Sequence, residues 1–326
     1  MSEEADKMAK TAEKKYFRNR KNAKKVWSFF RFIIIFGLGF VIMYPLIYMV
    51  SCSFRERGDM TDPTVMWIPR NFTFSVISDT MKAMDFWKTL GNTLILNIGC
   101  SVVQVISCAL TGYGFARYSF KGKKILFGIV IFMILVPTQV ISLPLYAQFR
   151  YFGIQGNFFG TEIDWTVNLI DSMASMYLPA MTANGICSGL MIFIFRQFFK
   201  GLPKELEDAA CIDGCGPLGT FIRVMAPNAG AAFLTVFLFS VVWYWNDYYV
   251  SSTFFTNNRT IALMLQNLDT HLKMVLFNDA TVEISPREQI VWKEAGCLLS
   301  ILPILTLYVL LQKHFTESIA RSGLVG

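Results

Sequence analysis

Residues 203–227 read PKELEDAACIDGCGPLGTFIRVMAP, a polar and charged stretch set between two long hydrophobic runs. Glu205, Glu207, Asp208 and Asp213 fall within nine residues of it, and so apolar a chain keeps such a cluster where it faces water or a partner. Pro203 ahead of ELEDAACID reads as a helix start, because proline fits an early helical position and first-turn carboxylates complement the helix dipole. Leu206, Ala209, Ala210 and Asp213 recur at i, i+3, i+4 and i+7, which predicts one helix face with two methyl-sized side chains at its centre, open to close approach by another protein. Glu205 and Asp208, three apart, present two carboxylates to cationic groups on that partner. Gly214, Gly216 and Pro217 then end the helix and turn the chain, and LGTFIRVMAP leads back as a second short helix. The loop is expected to span 199–228.

On either side of this stretch the composition is that of a membrane protein. Of 326 residues, 54% are hydrophobic, 15% aromatic and only 16% charged. Six runs of at least 18 residues contain no Asp, Glu, Lys or Arg: 32–54, 89–116, 125–149, 172–195, 224–246 and 295–312. A bilayer core takes roughly 20 apolar residues per helix. Lipid offers backbone groups no partner, so the expected fold is all-α with six transmembrane helices. An even number of spans puts both termini on one side. Placing them in the cytoplasm collects 20 of the 30 Lys and Arg in 1–31, 117–124, 196–228 and 312–326, as the positive-inside rule requires. Lipid headgroups then account for the net charge of +7, with no call for nucleic acid. The chain divides into a basic cytoplasmic tail, 1–28, and a transmembrane domain, 29–326. For residues 1–25 a flexible tail is the simpler reading and a helix lying on the inner leaflet the other.

Several polar features interrupt the spans. The stretch FSVISDTMKAMDFWKTL (74–90) has apolar residues at a helical period and predicts a short interfacial helix, with Trp67 and Trp87 as headgroup anchors. The second span holds Asn92, Asn97, Ser101, Gln104, Ser107 and Thr111, and two readings stand: hydrogen bonds between helices, or an aqueous path. Pro137 and Pro144 remove two backbone bonds from the third span, which points that helix toward protein rather than lipid. Residues 151–171 read as an external loop. Gly185 and Gly189 form a GxxxG in the fourth span. The seven cysteines have no metal spacing and read as buried apolar groups, with Cys211 and Cys215 as reduced thiols in the charged stretch.

No GxxxxGK[ST] or HExxH occurs, and the only histidines, His271 and His314, are far apart in sequence, so the chain is not expected to be an enzyme. The most chemical segment is VVWYWNDYYV in the fifth span. Asn246 and Asp247 offer hydrogen bonds to sugar hydroxyls, while Trp243, Trp245 and Tyr248 supply rings able to stack on sugar faces. An aromatic belt at the outer interface, with Asn246 and Asp247 capping a turn, explains the same residues.

The pattern ELEDAACIDG, followed by Phe221, Arg223 and Pro227, resembles the EAA motif of the permease subunits of bacterial ATP-binding cassette importers. LVPTQVISLPLY, IFRQFFKGLPKELEDAA, WYWNDYY and the ending LLQKHFTESIARSGLVG resemble the carbohydrate branch, which includes the smaller permease subunit of the maltose importer. Together these cover the chain from the first span to its end. Asp208 replaces the motif's usual Glu, Ala226-Pro227 its usual Leu-Pro, and Cys215 the usual Ala after the glycine; charge and small size are retained. The 158–168 insertion and the basic tail exceed the common pattern.

The resemblance implies a multi-pass plasma-membrane protein that couples to ATPases through Glu205, Asp208, Ala209, Ala210, Asp213 and Gly214. It implies a second, non-identical permease, two ATP-binding subunits that hold ATP and Mg, and an extracytoplasmic solute-binding protein. No cofactor is expected in this chain itself. The implied cargo is a sugar. A glycerol-phosphate-like or other polar solute is the second reading, and a membrane anchor or membrane-embedded enzyme the third.

Overall fold

The computed structural model describes the backbone of residues 2–62, 64–65, 67–158, 161–256 and 260–323, and the side chains of that set apart from 2–23, 155–164, 311 and 313–323. Helix α1 (Ser2–Ser53) is one continuous rod. The flexible tail expected for 1–25 is therefore corrected: its Ala, Glu, Lys and Met are strong helix formers and simply extend the first apolar run. After a short α2 (Arg57–Thr61) comes α3 (Ser75–Ala83), in the stretch where the sequence predicts a helix, and it buries Val76 and Thr80. Trp67 stacks edge-on against Tyr44 of α1, with ring centroids 4.7 Å apart, whereas Trp87 is exposed.

Helix α4 (Phe86–Arg117) is the spine of the molecule. It is followed by α5 (Lys123–Leu135) and α6 (Thr138–Arg150), which meet at a bend of 106°. The two prolines of this run act differently. Pro137 stands at the break, while Pro144 is accommodated inside α6. Strands β1 (Phe152–Phe158) and β2 (Thr161–Val167) pair antiparallel, Phe152 opposite Val167 and Ile154 opposite Trp165. The all-α expectation is corrected here: Phe152, Ile154, Trp165 and Val167 follow a period of two, so the 151–171 segment and the 158–168 insertion carry a hairpin.

The fourth charge-free run is not one helix either. It forms α7 (Ala174–Met181) and α8 (Ser188–Gly201), with Ala183 and Cys187 between them at left-handed φ of 56° and 55°. Next come α9 (Glu205–Ile212), α10 (Pro217–Thr220), a turn of π-helix at Phe221–Met225, and α11 (Ala226–Asn228). The chain bends by 82° into α12 (Gly230–Asn246). Helices α13 (Tyr249–Phe254), α14 (Ile261–Gln266) and α15 (Leu268–Phe277) precede the long α16 (Pro286–Gly323). Among the described residues three helices are long and apolar enough to cross a membrane, or up to five if each bent pair counts as one span.

Three apolar clusters stack along α4. One joins Phe86 to Val76, Met84, Trp245, Leu268 and Trp292. A middle one joins Leu96 and Cys100 to Phe149, Met176, Tyr244 and Phe254. The third gathers Val105, Cys108 and Tyr113 with Phe195, Phe199, Phe221 and Met225, directly beneath α9. The apolar side chains of α1 face outward almost entirely, the surface a hydrocarbon solvent covers.

Candidate functional site

The charged stretch folds into a short helix closed by a glycine. Gly214 takes φ +78°, its N–H donates to Cys211 O (3.1 Å), and Cys215 N–H donates to Ala210 O (2.9 Å). This pair of bonds is the Schellman arrangement, which satisfies carbonyls the helix end would otherwise leave bare. Pro217 then opens α10 at its first position.

The face of α9 that meets solvent differs from the expected one. Leu206 packs against the Phe199–Phe221 cluster and Ala210 is buried, so two of the four residues on the predicted face turn inward. The exposed set at i, i+3, i+4 and i+7 is Glu205, Asp208, Ala209 and Ile212, with Asp213 and Gly214 exposed beyond it. The hydrophobic core beneath α9 outweighs the attraction of a small-residue outer face, because burying Leu206 and Ala210 removes apolar area from water. Ile212 is 86% exposed, and Leu218 and Ile222 of the following turns are also bare. Ile212, at i+7 from Glu205, gives the carboxylate face a hydrophobic margin. Counting i+7 from Glu205 instead of Leu206 finds Ile212 in the sequence.

Glu207 points the other way. Tyr113 Oη donates to its Oε1 (2.8 Å), and Arg117 Nε lies 3.6 Å from its Oε2. Arg117 Nη2 also donates to Leu202 O (2.6 Å), the residue after the end of α8. The Tyr113 ring packs against Phe199 and Phe221, at centroid distances of 5.4 and 5.1 Å. Reading the sequence places Glu207 in the acidic cluster but finds neither Tyr113 nor Arg117 as its partner, because the partners stand on different helices.

The polar residues of α4 bridge helices. Asn97 Nδ2 donates to Val241 O of α12 (2.9 Å), Gln104 Nε2 to Ile186 O (2.6 Å) and Ser188 Oγ (3.0 Å), and Ser107 Oγ to Ala180 O (2.6 Å). Carbonyls freed where α7 and α8 part thus find donors on α4, which selects the interhelical reading for these three side chains.

In VVWYWNDYYV the five singled-out residues separate. Trp245 is buried and its indole N–H donates to Ser300 O of α16 (3.1 Å). Trp243 stacks on Phe239 (5.7 Å). Asp247 caps α13, accepting from Ser251 N (2.8 Å), Ser251 Oγ (2.9 Å) and Val250 N (3.2 Å). Asn246 and Tyr248 are exposed, and Asn246 Nδ2 donates back to Val242 O (2.9 Å). Nearby, a cavity where both broken helices meet α12 is lined by Thr138, Ser142, Asn184 and Tyr244 among apolar walls.

A mostly helical chain with several apolar helices of membrane length defines a multi-pass membrane protein, and α9 is its short, charged, glycine-closed helix. Residues 108–321 match the family described as binding-protein-dependent transport system inner membrane component, and the chain belongs to that family. It is similar to the arabinooligosaccharides transport system permease protein AraQ of Halalkalibacterium halodurans, 25% identical over 89% of this chain and 93% of that protein. It is similar too to the diacetylchitobiose uptake system permease protein DasC of Streptomyces coelicolor, 26% identical over 93% and 98% of the two chains. Among solved structures, a chain of a bacterial ABC transporter involved in the import of the acidic polysaccharide alginate shares the fold, with a TM-score of 0.67 at 18% identity, over 90% of this chain and 98% of that one.

Proposed function

We propose that this chain is one permease half of an ATP-driven importer of sugars, oligosaccharides foremost, with α9 as the element that couples it to two ATP-binding partners. The observation that carries the reading is the outward face of α9: Glu205, Asp208, Ala209 and Ile212 stand free of the fold on a helix whose end is locked by Gly214. Carboxylates beside a hydrophobic margin suit a cleft with cationic walls and an apolar floor. Ala210 supports that face from beneath, and Asp213 extends its charge.

The full assembly in this reading has a second, non-identical permease, two ATPase subunits holding ATP and Mg, and an extracytoplasmic solute-binding protein, with lipid around the spans. This chain crosses the membrane six times with both termini in the cytoplasm. ATP draws the ATPase subunits together, α9 moves with them, and the spans tilt to switch access from one face to the other. Of the fifth-span residues, Asn246 and Tyr248 are the ones positioned to meet solute, with Trp243, Trp245 and Asp247 holding that helix in place. The sugar cargo follows from the names of the relatives, which transport arabinooligosaccharides and diacetylchitobiose.

Two measurements test this. Asp208→Lys reverses the central docking charge, and the ATPase subunits are expected to be lost from the purified complex; their full retention refutes the coupling assignment. In proteoliposomes carrying the whole assembly, uptake of arabinotriose or diacetylchitobiose is expected to exceed that of glycerol 3-phosphate, and the reverse order favours the polar-solute reading.

A further inference from the structure

Each helix covalently next to α9 is interrupted. Before it, α8 extends only 14 residues to the left-handed break at Cys187, and after it the chain bends by 82° into α12. A push on α9 that travelled along the chain would be absorbed at these joints. Helix α4, by contrast, is unbroken over 32 residues, about 48 Å at 1.5 Å per residue, and passes through all three apolar clusters.

The end of α4 is tied to α9 by side chains. Glu207 receives the Tyr113 hydroxyl and faces the Arg117 guanidinium, while Arg117 also holds Leu202 O at the α8–α9 junction. The Arg117 side chain is 7% exposed and that of Glu207 20%, so their attraction is screened far less than that of a surface pair. Farther along, α4 donates from Ser107, Gln104 and Asn97 to the α7–α8 break and to α12. At its other end Thr93 Oγ1 accepts from Ile261 N (2.9 Å).

We infer that Glu207 is the positioning residue that transmits motion of α9 into the molecule, acting through Arg117 and Tyr113 on α4 rather than through the directly connected helices. The inference rests on α9 being the coupling element, and it divides the acidic first turn by task. Glu205 and Asp208 grip the partner. Glu207 grips α4.

The test uses the complete complex, with the second permease and both ATPase subunits, in nanodiscs. A bimane fluorophore is placed on Trp87→Cys in the first turn of α4, in a background of Cys187→Ser, Cys211→Ser and Cys215→Ser. The stimulus is MgATP with vanadate. With Glu207 present the emission shifts on trapping. Glu207→Gln is expected to lose most of that shift, while the ATPase subunits still copurify and still trap vanadate. Tyr113→Phe, which keeps the ring packing and loses one hydrogen bond, is expected to give an intermediate shift. The exchange of Glu207→Arg with Arg117→Glu is expected to recover it, which a merely misfolded site would not do. A full shift in Glu207→Gln, no shift with Glu207 present, or an exchange no better than the single variants overturns the inference. So does loss of the ATPase subunits from Glu207→Gln, since that places Glu207 in the docking face. Failure of the coupling assignment itself shows separately, as Asp208→Lys complexes that keep their ATPase subunits.

Discussion

Glu205, Glu207 and Asp208 share one helical turn, yet two face solvent and one is held inside. A helix advances about 100° per residue, so neighbours in sequence look in different directions. The same geometry makes small residues decisive where backbones touch. A Cβ on Gly112 would lie 2.6 Å from Phe195 Cβ and 3.0 Å from Arg196 N, at the crossing of α4 and α8. Gly112→Ala is therefore expected to cost roughly 1–3 kcal/mol by overpacking, read as a lower unfolding temperature in detergent. Gly214 is needed for a different reason. Nothing crowds it, but its φ of +78° is left-handed. Gly214→Val is expected to cost about 1–2 kcal/mol of local backbone energy and to weaken retention of the ATPase subunits, with little change in global unfolding. These glycine roles differ in legibility. Gly214 declares itself through its place after ELEDAACID, whereas Gly112 is silent until its neighbour Phe195, far away in sequence, is brought against it.

At the scale of elements, absence of charge was a good guide to which segments are apolar and a poor guide to which are straight. The runs that became α1, α4 and α16 are continuous helices. Pro137 advertised the break between α5 and α6, but 182–187 contains no proline, only the turn pair Asn184-Gly185, and carbonyls at its edge accept from Gln104 and Ser107 of another helix. The pairing with α4 has no local sequence signal. It does have a test: Gln104→Leu leaves Ile186 O without its donor and is expected to cost about 1–3 kcal/mol, seen in thermal unfolding, whereas Thr111→Val, whose hydroxyl donates only within α4 to Ser107 O, should cost less. The hairpin was missed because its period-two pattern is short and lies between stronger helical signals. The charged helix α9 was found at nearly its true bounds, Pro203 and the acidic turn marking its start and Gly214 its end. Its orientation was not, since the pull on Leu206 and Ala210 comes from Phe199 and Phe221.

On the scale of the whole molecule, α4 and its side-chain bridges give one rigid axis around which bent and broken helices are arranged. The 106° elbow between α5 and α6 has a consequence for the surrounding lipid. Each arm has 13 residues, or about 20 Å at 1.5 Å per residue, so the elbow reaches only about 24 Å from tip to tip. A typical hydrocarbon layer is about 30 Å thick. No rotation of the elbow removes the shortfall, and the protein-facing position expected from its two prolines is not what the chain alone shows: Leu135, Val140 and Leu143 are exposed apolar groups on its surface, open to acyl chains. Counted as one span, the elbow is shorter than that layer, and a bilayer that touches it is expected to thin on this flank, at an elastic cost of fractions of a kcal/mol per Å of mismatch. Solute uptake by the reconstituted assembly should then be faster in 14-carbon than in 20-carbon phosphatidylcholine, and equal rates would mean that a neighbouring subunit covers the elbow. Acyl-chain length would then control transport through the bend between α5 and α6, a part of the chain far in sequence from α9.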